Sequence, residues 1–304
     1  MSEYHIPVLL NESIAALKIK ESGTYIDATF GGGGHSREIL KRLGRKGRLI
    51  AFDRDQDAMA NAPEDKRFTL IHNNFRFISN FIKYLDINSV DGILADLGVS
   101  SHQFDTSERG FSFRFDTELD MRMNKLIGRG AKEVINSSSQ RELFKIFEVY
   151  GELPNAWKAS QLICSAREKA EIGTTGDLNR VVEKLYNPNT EHKFLAQLYQ
   201  ALRIEVNSEM RALEDFLTGT ISILNEGGRL SVITYHSLED RMVKNFMRSG
   251  NISGKREKDL YGRVQSCFNV ITTKPIIPQE EEIKGNTRSR SAKLRIAEKV
   301  KQTL

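Results

Sequence analysis

Residues 25–40 read YIDATFGGGGHSREIL. A β-rich run ending at Asp27, a tract of glycine and a helix-period run make a strand, a turn and a helix, and a turn without side chains lets a ligand approach the backbone where an open α/β sheet binds it. The same rhythm continues on both sides. TYIDAT (24–29), RLIAFDR (48–54), FTLIHNN (68–74) and VDGILADLG (90–98) are β-rich. Between them SREILKRL puts Ile39, Leu40 and Leu43 on one helical face, and FRFISNFIKYL does the same with Ile78, Phe81, Ile82 and Leu85. Strand alternating with helix predicts an α/β fold, a parallel sheet with right-handed crossovers.

The rhythm stops after residue 98 and returns at GRLSVITYHS (228–237), followed by the helical LEDRMVKNFM and two late β-like runs, FNVITTKP and SAKLRIAE. Four helical stretches fill the gap. SSQRELFKIFEVYG carries Ser139 and Glu142 as a capping box and stops at Gly151; LPNAWKASQLICSAREKAE has Pro154 in its first turn. GDLNRVVEKLY aligns Leu178, Val181, Val182 and Leu185 before Asn187-Pro188 breaks it, and EHKFLAQLYQALRIEV supplies Leu195, Leu198 and Leu202. An all-helical subdomain over 105–205 is therefore expected, inserted into a sheet domain formed by 1–104 and 206–304.

In a chain of 304 residues, 39% hydrophobic residues suffice for a sizeable core. The N-terminal stretch is broken by Pro7, Asn11, Glu12 and Lys18, so it reads neither as a signal peptide nor as a membrane span, and a cytoplasmic location without membrane contact is expected. Cys164 and Cys267 belong to no paired motif and read as buried small apolar residues. Histidines 5, 35, 72, 102, 192 and 236 stand singly, so no metal site is expected. No sequence feature specifies the oligomeric state; a homodimer stays open. The net charge of +5 says little, but its distribution says more. Arg122, Lys125, Arg129 and Lys132 occur in MRMNKLIGRGAK (121–132) without an acid, and KGNTRSRSAKLRIAEK (284–299) holds six basic residues against one glutamate. These are either two phosphate-contacting stripes or ordinary solvated surface.

The glycine tract excludes some ligands. No GK[ST] follows it, which disfavours a phosphate loop, and G-x-G-x-x-G fails in every frame: from Gly31 the last position is Ser36, from Gly32 it is Arg37. What remains is the glycine turn followed by a second strand ending in Asp53, an acid that can accept both hydroxyls of a ribose while the turn admits a small zwitterionic tail. This layout suits S-adenosylmethionine. The bland alternative is a tight turn with Asp53 capping the next helix, as DRDQDAM allows. His35 either bonds the cofactor or caps its helix, and Phe75 either stacks on an adenine or joins the apolar stripe of Ile78 and Ile82.

The fourth strand ends ILADLGVSSHQF (93–104), which sets Asp96, Ser100, Ser101 and Gln103 at the crevice edge, unless Gly98 and the serines only make a turn. Methyl transfer is an in-line displacement that chiefly needs alignment. An exocyclic base amine is a poor nucleophile because its lone pair is conjugated; an acceptor such as Asp96 can bond its N–H groups and collect the proton. This segment has no cysteine for the covalent route to carbon-5 methylation, and a stacked base would have to be flipped out. At the same rim SVITYHSLEDRMVK (231–244) offers Tyr235 to stack on a base and His236 to orient it, unless both serve a helix start at Ser237 and Asp240.

HIPVLLNE, YIDATFGGGGHS, AFDRD, DGILADLGVSS, ERGFSF, LDMRM, VNSE, GGRLSVITYHSLEDR and RSRSAKLRIAE occur in that order. Together they resemble the RsmH (MraW) family of 16S rRNA (cytosine-N4) methyltransferases over nearly the whole chain. The resemblance implies a class I S-adenosylmethionine-dependent methyltransferase (Rossmann-like) domain interrupted by a helical substrate-recognition domain. It also implies methylation of N4 of a cytidine in the decoding region of 16S rRNA in the small ribosomal subunit. Carried over motif by motif, the cofactor positions are Gly33, Gly34, His35, Asp53, Phe75, Asp96 and Gln103, with Asp96 also catalytic; Tyr235 and His236 are expected at the flipped base. One segment departs: RFDTE (114–118) stands where relatives often carry a Gly-Pro pair. A non-catalytic cofactor-binding assembly factor, and a methyltransferase acting on a small molecule or protein, are the rival readings.

Overall fold

The computed structural model describes residues 7–255 and 266–301; His5, at the head of the first motif, lies outside them. Seven strands form one sheet: β1 (Thr24–Asp27), β2 (Arg48–Asp53), β3 (Phe68–His72), β4 (Val90–Asp96), β5 (Leu224–Thr234), β6 (Phe268–Val270) and β7 (Lys293–Lys299). Their order is β3-β2-β1-β4-β5-β7-β6. Neighbours from β3 to β5 run parallel, whereas β7 is antiparallel to both β5 and β6. The first five strands thus follow the Rossmann order, with its reversal of direction between β1 and β4.

Apolar runs in these strands are nearly continuous because helices cover both faces of a parallel sheet. On one face the helix Gly34–Arg42 buries Ile39 and Leu40 against Tyr25, Leu49 and Leu94. On the other, Ile78 and Ile82 meet Leu213, Phe216 and Leu217 of the helix Glu209–Ile223, together with Val243 and Phe246 of the helix Ser237–Ser249. The helix Glu209–Ile223 follows EMRALEDFLTGTISI, a stretch whose apolar stripe is interrupted by Thr218, Gly219 and Thr220.

The chain divides into two compact units, one of Met1–Gly98 with Met210–Leu304 and one of Val99–Glu209. The second is helical: Ser101–Asp105, Ala131–Ser137, Gln140–Val149, Ala156–Arg167, Thr175–Val182 and Glu191–Asn207. Its core joins Leu119, Val134, Leu143, Phe147, Ile163, Leu178, Leu195, Leu198 and Leu202. The Ser139–Glu142 capping box forms as expected. Pro154 precedes its helix instead of entering the first turn, with Asn155 at the cap. Two short helices, Ser101–Asp105 and Ala131–Ser137, add to the four expected.

The divergent RFDTE segment has a defined job. Thr175 donates its hydroxyl to the Phe115 carbonyl at 2.5 Å, and Asp116 Oδ1 accepts the Gly176 N–H at 2.9 Å. Thr117 N–H reaches Thr175 Oγ1 at 3.1 Å. The segment therefore satisfies the first turn of the helix Thr175–Val182, where backbone donors lack intrahelical acceptors. Neither Cys164 nor Cys267 forms a disulfide, and both are half-buried instead of fully buried.

Candidate active site

Three aspartates end three adjacent strands: Asp27 on β1, Asp53 on β2 and Asp96 on β4. Ligands of open α/β sheets bind outside this edge, near the β1/β4 reversal. Burial raises the pKa of all three carboxyls, Asp53 and Asp96 each to about 6, and the charge of Asp27 adds to the rise at both. A carboxylate taken out of water favours its neutral form unless a cation is near.

Asp27 is the most enclosed; its Oδ2 accepts the Ser36 hydroxyl at 2.7 Å and its Oδ1 the Thr29 N–H at 3.1 Å. Asp53 ties the glycine turn to β2, since its Oδ2 accepts the Gly31 N–H at 2.7 Å and its Oδ1 the Asp55 N–H at 2.8 Å. The cap of the following 3-10 helix, Gln56–Asn61, is Asp55, whose side chain accepts the Asp57 N–H at 3.2 Å. Asp53 is thus not that cap.

The glycines differ in purpose. At Gly31 (φ +52°) an added Cβ meets nothing within 4 Å, so open space lies over the turn there. At Gly33 (φ +76°) it would sit 2.8 Å from the Phe30 ring, and at Gly34 only 2.1 Å from Pro7 Cγ. Protein packing, not ligand clearance, keeps those two bare. What Gly34 and His35 have to offer a ligand is their backbone N–H groups, which at a helix start have no intrahelical acceptor.

His35 is buried, with Nε2 3.2 Å from the Val8 carbonyl oxygen. A carbonyl only accepts, so Nε2 carries the proton and Nδ1 is the acceptor; burial lowers the ring's pKa and keeps it neutral. The cap position belongs to Gly33, in the left-handed conformation and without a side-chain cap, so His35 does not cap the helix.

Asp96 meets Tyr235 just beyond β5. The tyrosine hydroxyl donates to Asp96 Oδ1 at 2.8 Å, and the Asp96 N–H donates to Thr29 Oγ1 at 2.6 Å. Burial and the nearby carboxylate raise the Tyr235 pKa well above 10, so the phenol stays a donor. Among the described residues Asp96 Oδ2 has no hydrogen bond. His236 caps the helix Ser237–Ser249 in a reciprocal box with Glu239, so the capping alternative holds for it, through this pair and not through Ser237 and Asp240. Glu239 Oε2 accepts the Tyr235 N–H at 2.9 Å and its Oε1 lies 3.1 Å from His236 Nε2. Asp240 is committed elsewhere, bidentate to Arg295 at 2.6 and 3.0 Å.

Phe75 is half-buried, its ring edge-to-face with Phe216 at 5.2 Å, so one side serves the core. Gln103 belongs to the helical unit; it is buried and boxes with Ser100, whose N–H donates to Gln103 Oε1 at 3.1 Å. Neither basic run is a continuous free stripe. Arg122 pairs with Asp120 and Lys132 with Glu171, while Lys293 and Arg295 face Asp240 and Lys299 bonds the carbonyls of Ile221 and Leu224. Sequence reading missed Thr29 and Glu239; the i, i+3 spacing of His236 and Glu239 was the available signal for the latter.

With β7 reversed between β5 and β6, the sheet has the class I S-adenosylmethionine-dependent methyltransferase architecture. The chain belongs to the MraW methylase family, whose model matches residues 2–300. It is 55% identical over 296 residues to a Bacteroides fragilis protein named ribosomal RNA small subunit methyltransferase H, covering 97% of each chain. Proteins of the same name from Parabacteroides distasonis and Flavobacterium johnsoniae are each 54% identical over 298 residues, covering 98% of each chain. No described helix is long and apolar enough to cross a membrane.

The residues present fit the donor of that fold class. S-adenosylmethionine is cationic at its sulfonium and its amine, and a rim of buried carboxyls with raised pKa values is stabilised by positive charge. The open space over Gly31, beside Asp53, leaves room for a ligand.

Proposed function

We propose that the protein methylates N4 of a cytidine in the decoding region of small-subunit 16S rRNA, with S-adenosylmethionine as donor. Bound at the strand edge, the donor supplies an electrophilic methyl on sulfur. Asp53 accepts its ribose hydroxyls, Phe75 presents the free side of its ring to the adenine, and Gly34 and His35 offer backbone N–H groups to its carboxylate. Gln103 is assigned to the cofactor on family resemblance alone.

The observation that carries the reading is the Asp96 carboxyl, fixed through Oδ1 by Tyr235 and, among the described residues, without a hydrogen bond at Oδ2. Oδ2 accepts one N–H of the cytidine amine, draws the nitrogen lone pair out of conjugation and aims it at the methyl. After transfer the nitrogen carries an extra proton, and a carboxylate titrating near 6 takes it and returns it to water above that pH. Tyr235 stays protonated and holds the carboxylate's rotamer, and its ring is assigned as the platform for the base; His236 borders the same turn. The helical unit Val99–Glu209 is assigned to substrate recognition, and the cytoplasm, where small subunits assemble, is the expected site of action.

The test is transfer of labelled methyl from the donor to small ribosomal subunits from a strain lacking the activity, followed by mass mapping of the rRNA. Label on N4 of one cytidine is expected. Donor binding without rRNA labelling would falsify the assignment, and transfer competed by small molecules but not by RNA would point to another acceptor.

A further inference from the structure

Within the helical unit, residues 121–130 form a closed loop with a rigid neck. Ala131 N–H donates to the Asp120 carbonyl at 2.7 Å and Lys132 N–H to the Leu119 carbonyl at 2.6 Å. The base is held from inside the unit. Buried Arg109 donates through Nη2 to the carbonyls of Arg122 and Met123, both at 3.1 Å. Buried Asn207 accepts the Met123 N–H at 2.9 Å and donates to the Met121 carbonyl at 2.8 Å. At the tip, Asn124 Oδ1 accepts the Leu126 N–H at 2.9 Å and Gly128 (φ +86°) turns the chain back. What this scaffold presents to water is aliphatic: Leu126 is 78% exposed and Ile127 65%.

Adjacent exposed aliphatics on a loop built from buried polar anchors contribute nothing to the unit's own core and are left available to a partner. The partner's charge is written in the loop. Lys125 and Arg129 flank the pair, both exposed, and no acid occurs from Met121 to Lys132. Aliphatic side chains between cations make up a wedge that enters a base step while the cations meet the flanking phosphates.

We propose that Leu126 and Ile127 form a wedge that inserts between bases of the rRNA substrate, with Lys125 and Arg129 on the phosphates at either side. This rests on the rRNA reading above. The wedge unstacks a step of the RNA and thereby lowers the cost of exposing a base.

Two double variants separate wedge from charge: L126S/I127S and K125A/R129A, measured by filter binding to deproteinised 16S rRNA across a salt series. Donor affinity reports on folding. Wild type is expected to bind with a log–log salt slope that K125A/R129A reduces by about two, one per cation, whereas L126S/I127S weakens binding about tenfold at every salt concentration with the slope unchanged. Wild-type-like rRNA binding by L126S/I127S overturns the wedge even if rRNA methylation stands. Normal binding to bare rRNA with weakened binding to intact subunits also overturns it and assigns the tip to a ribosomal protein. Wild type that neither binds nor methylates rRNA overturns both readings.

Discussion

The Tyr235 hydroxyl donates to Asp96 Oδ1 at 2.8 Å across a sequence separation of 139 residues, joining the ends of β4 and β5. The bond settles which carboxylate oxygen is engaged. It also lowers the Asp96 pKa against the larger effect of burial.

Tyr235→Phe removes that donor and keeps the ring. Turnover is expected to fall about tenfold with donor affinity within a factor of two, because a rotamer is freed while the ring platform remains. The acidic limb of the kcat profile should move to higher pH, since the hydrogen bond no longer favours the anion. Steady-state kinetics over pH 5–8 checks both, and an unmoved limb would detach Tyr235 from Asp96.

Asp53 and Asp96 carry pKa values of about 6 against 3.8 for a free aspartate. Between about pH 4 and 6 the folded chain holds protons that the unfolded chain has lost, so these two groups make stability fall as pH rises through that window. A cationic donor has the opposite preference, favouring the anions. Donor affinity is therefore expected to rise with pH from 5 to 7, and the rise should be shallower in Asp96→Asn, as titration calorimetry will read.

Gly31→Ala and Gly34→Ala should differ in kind. At Gly34 the new methyl runs into Pro7, an overpacking cost of about 1–3 kcal/mol seen as a lowered Tm. At Gly31 the methyl enters open space, so packing is spared; the positive φ costs about 1 kcal/mol and the larger loss appears in donor affinity. Equal Tm losses without any binding loss would remove Gly31 from the site.

Glu239→Ala removes the acceptor of the Tyr235 N–H and half of the His236 box. A loss of about 1–2 kcal/mol in urea unfolding is expected, with Glu239→Gln recovering most of it, since an amide oxygen still accepts. Turnover should follow the same order.

Much of this was legible in the sequence for physical reasons. Buried parallel strands announce themselves as apolar runs, and Ser139 with Glu142 marks a helix start by spacing alone. The role of Gly33 and Gly34 was not legible, because Phe30 and Pro7 meet them only once the turn is folded. Nor were the ion pairs of Arg122, Lys132 and Arg295, whose partners depend on tertiary placement. The helix cap shifted by one residue because His236 can accept through Nδ1, a capacity that a search for serine and threonine overlooks.

The position of β7 between β5 and β6 bears on the order of events during synthesis. Val99–Glu209 is one uninterrupted segment and can assemble as soon as it leaves the ribosome. The sheet cannot: β5 lacks a neighbour on its outer edge until Lys293–Lys299 emerges, roughly ten seconds of translation after Glu209. For that interval β5 presents an open hydrogen-bonding edge, which makes the nascent sheet, more than the helical insert, the natural client of chaperones.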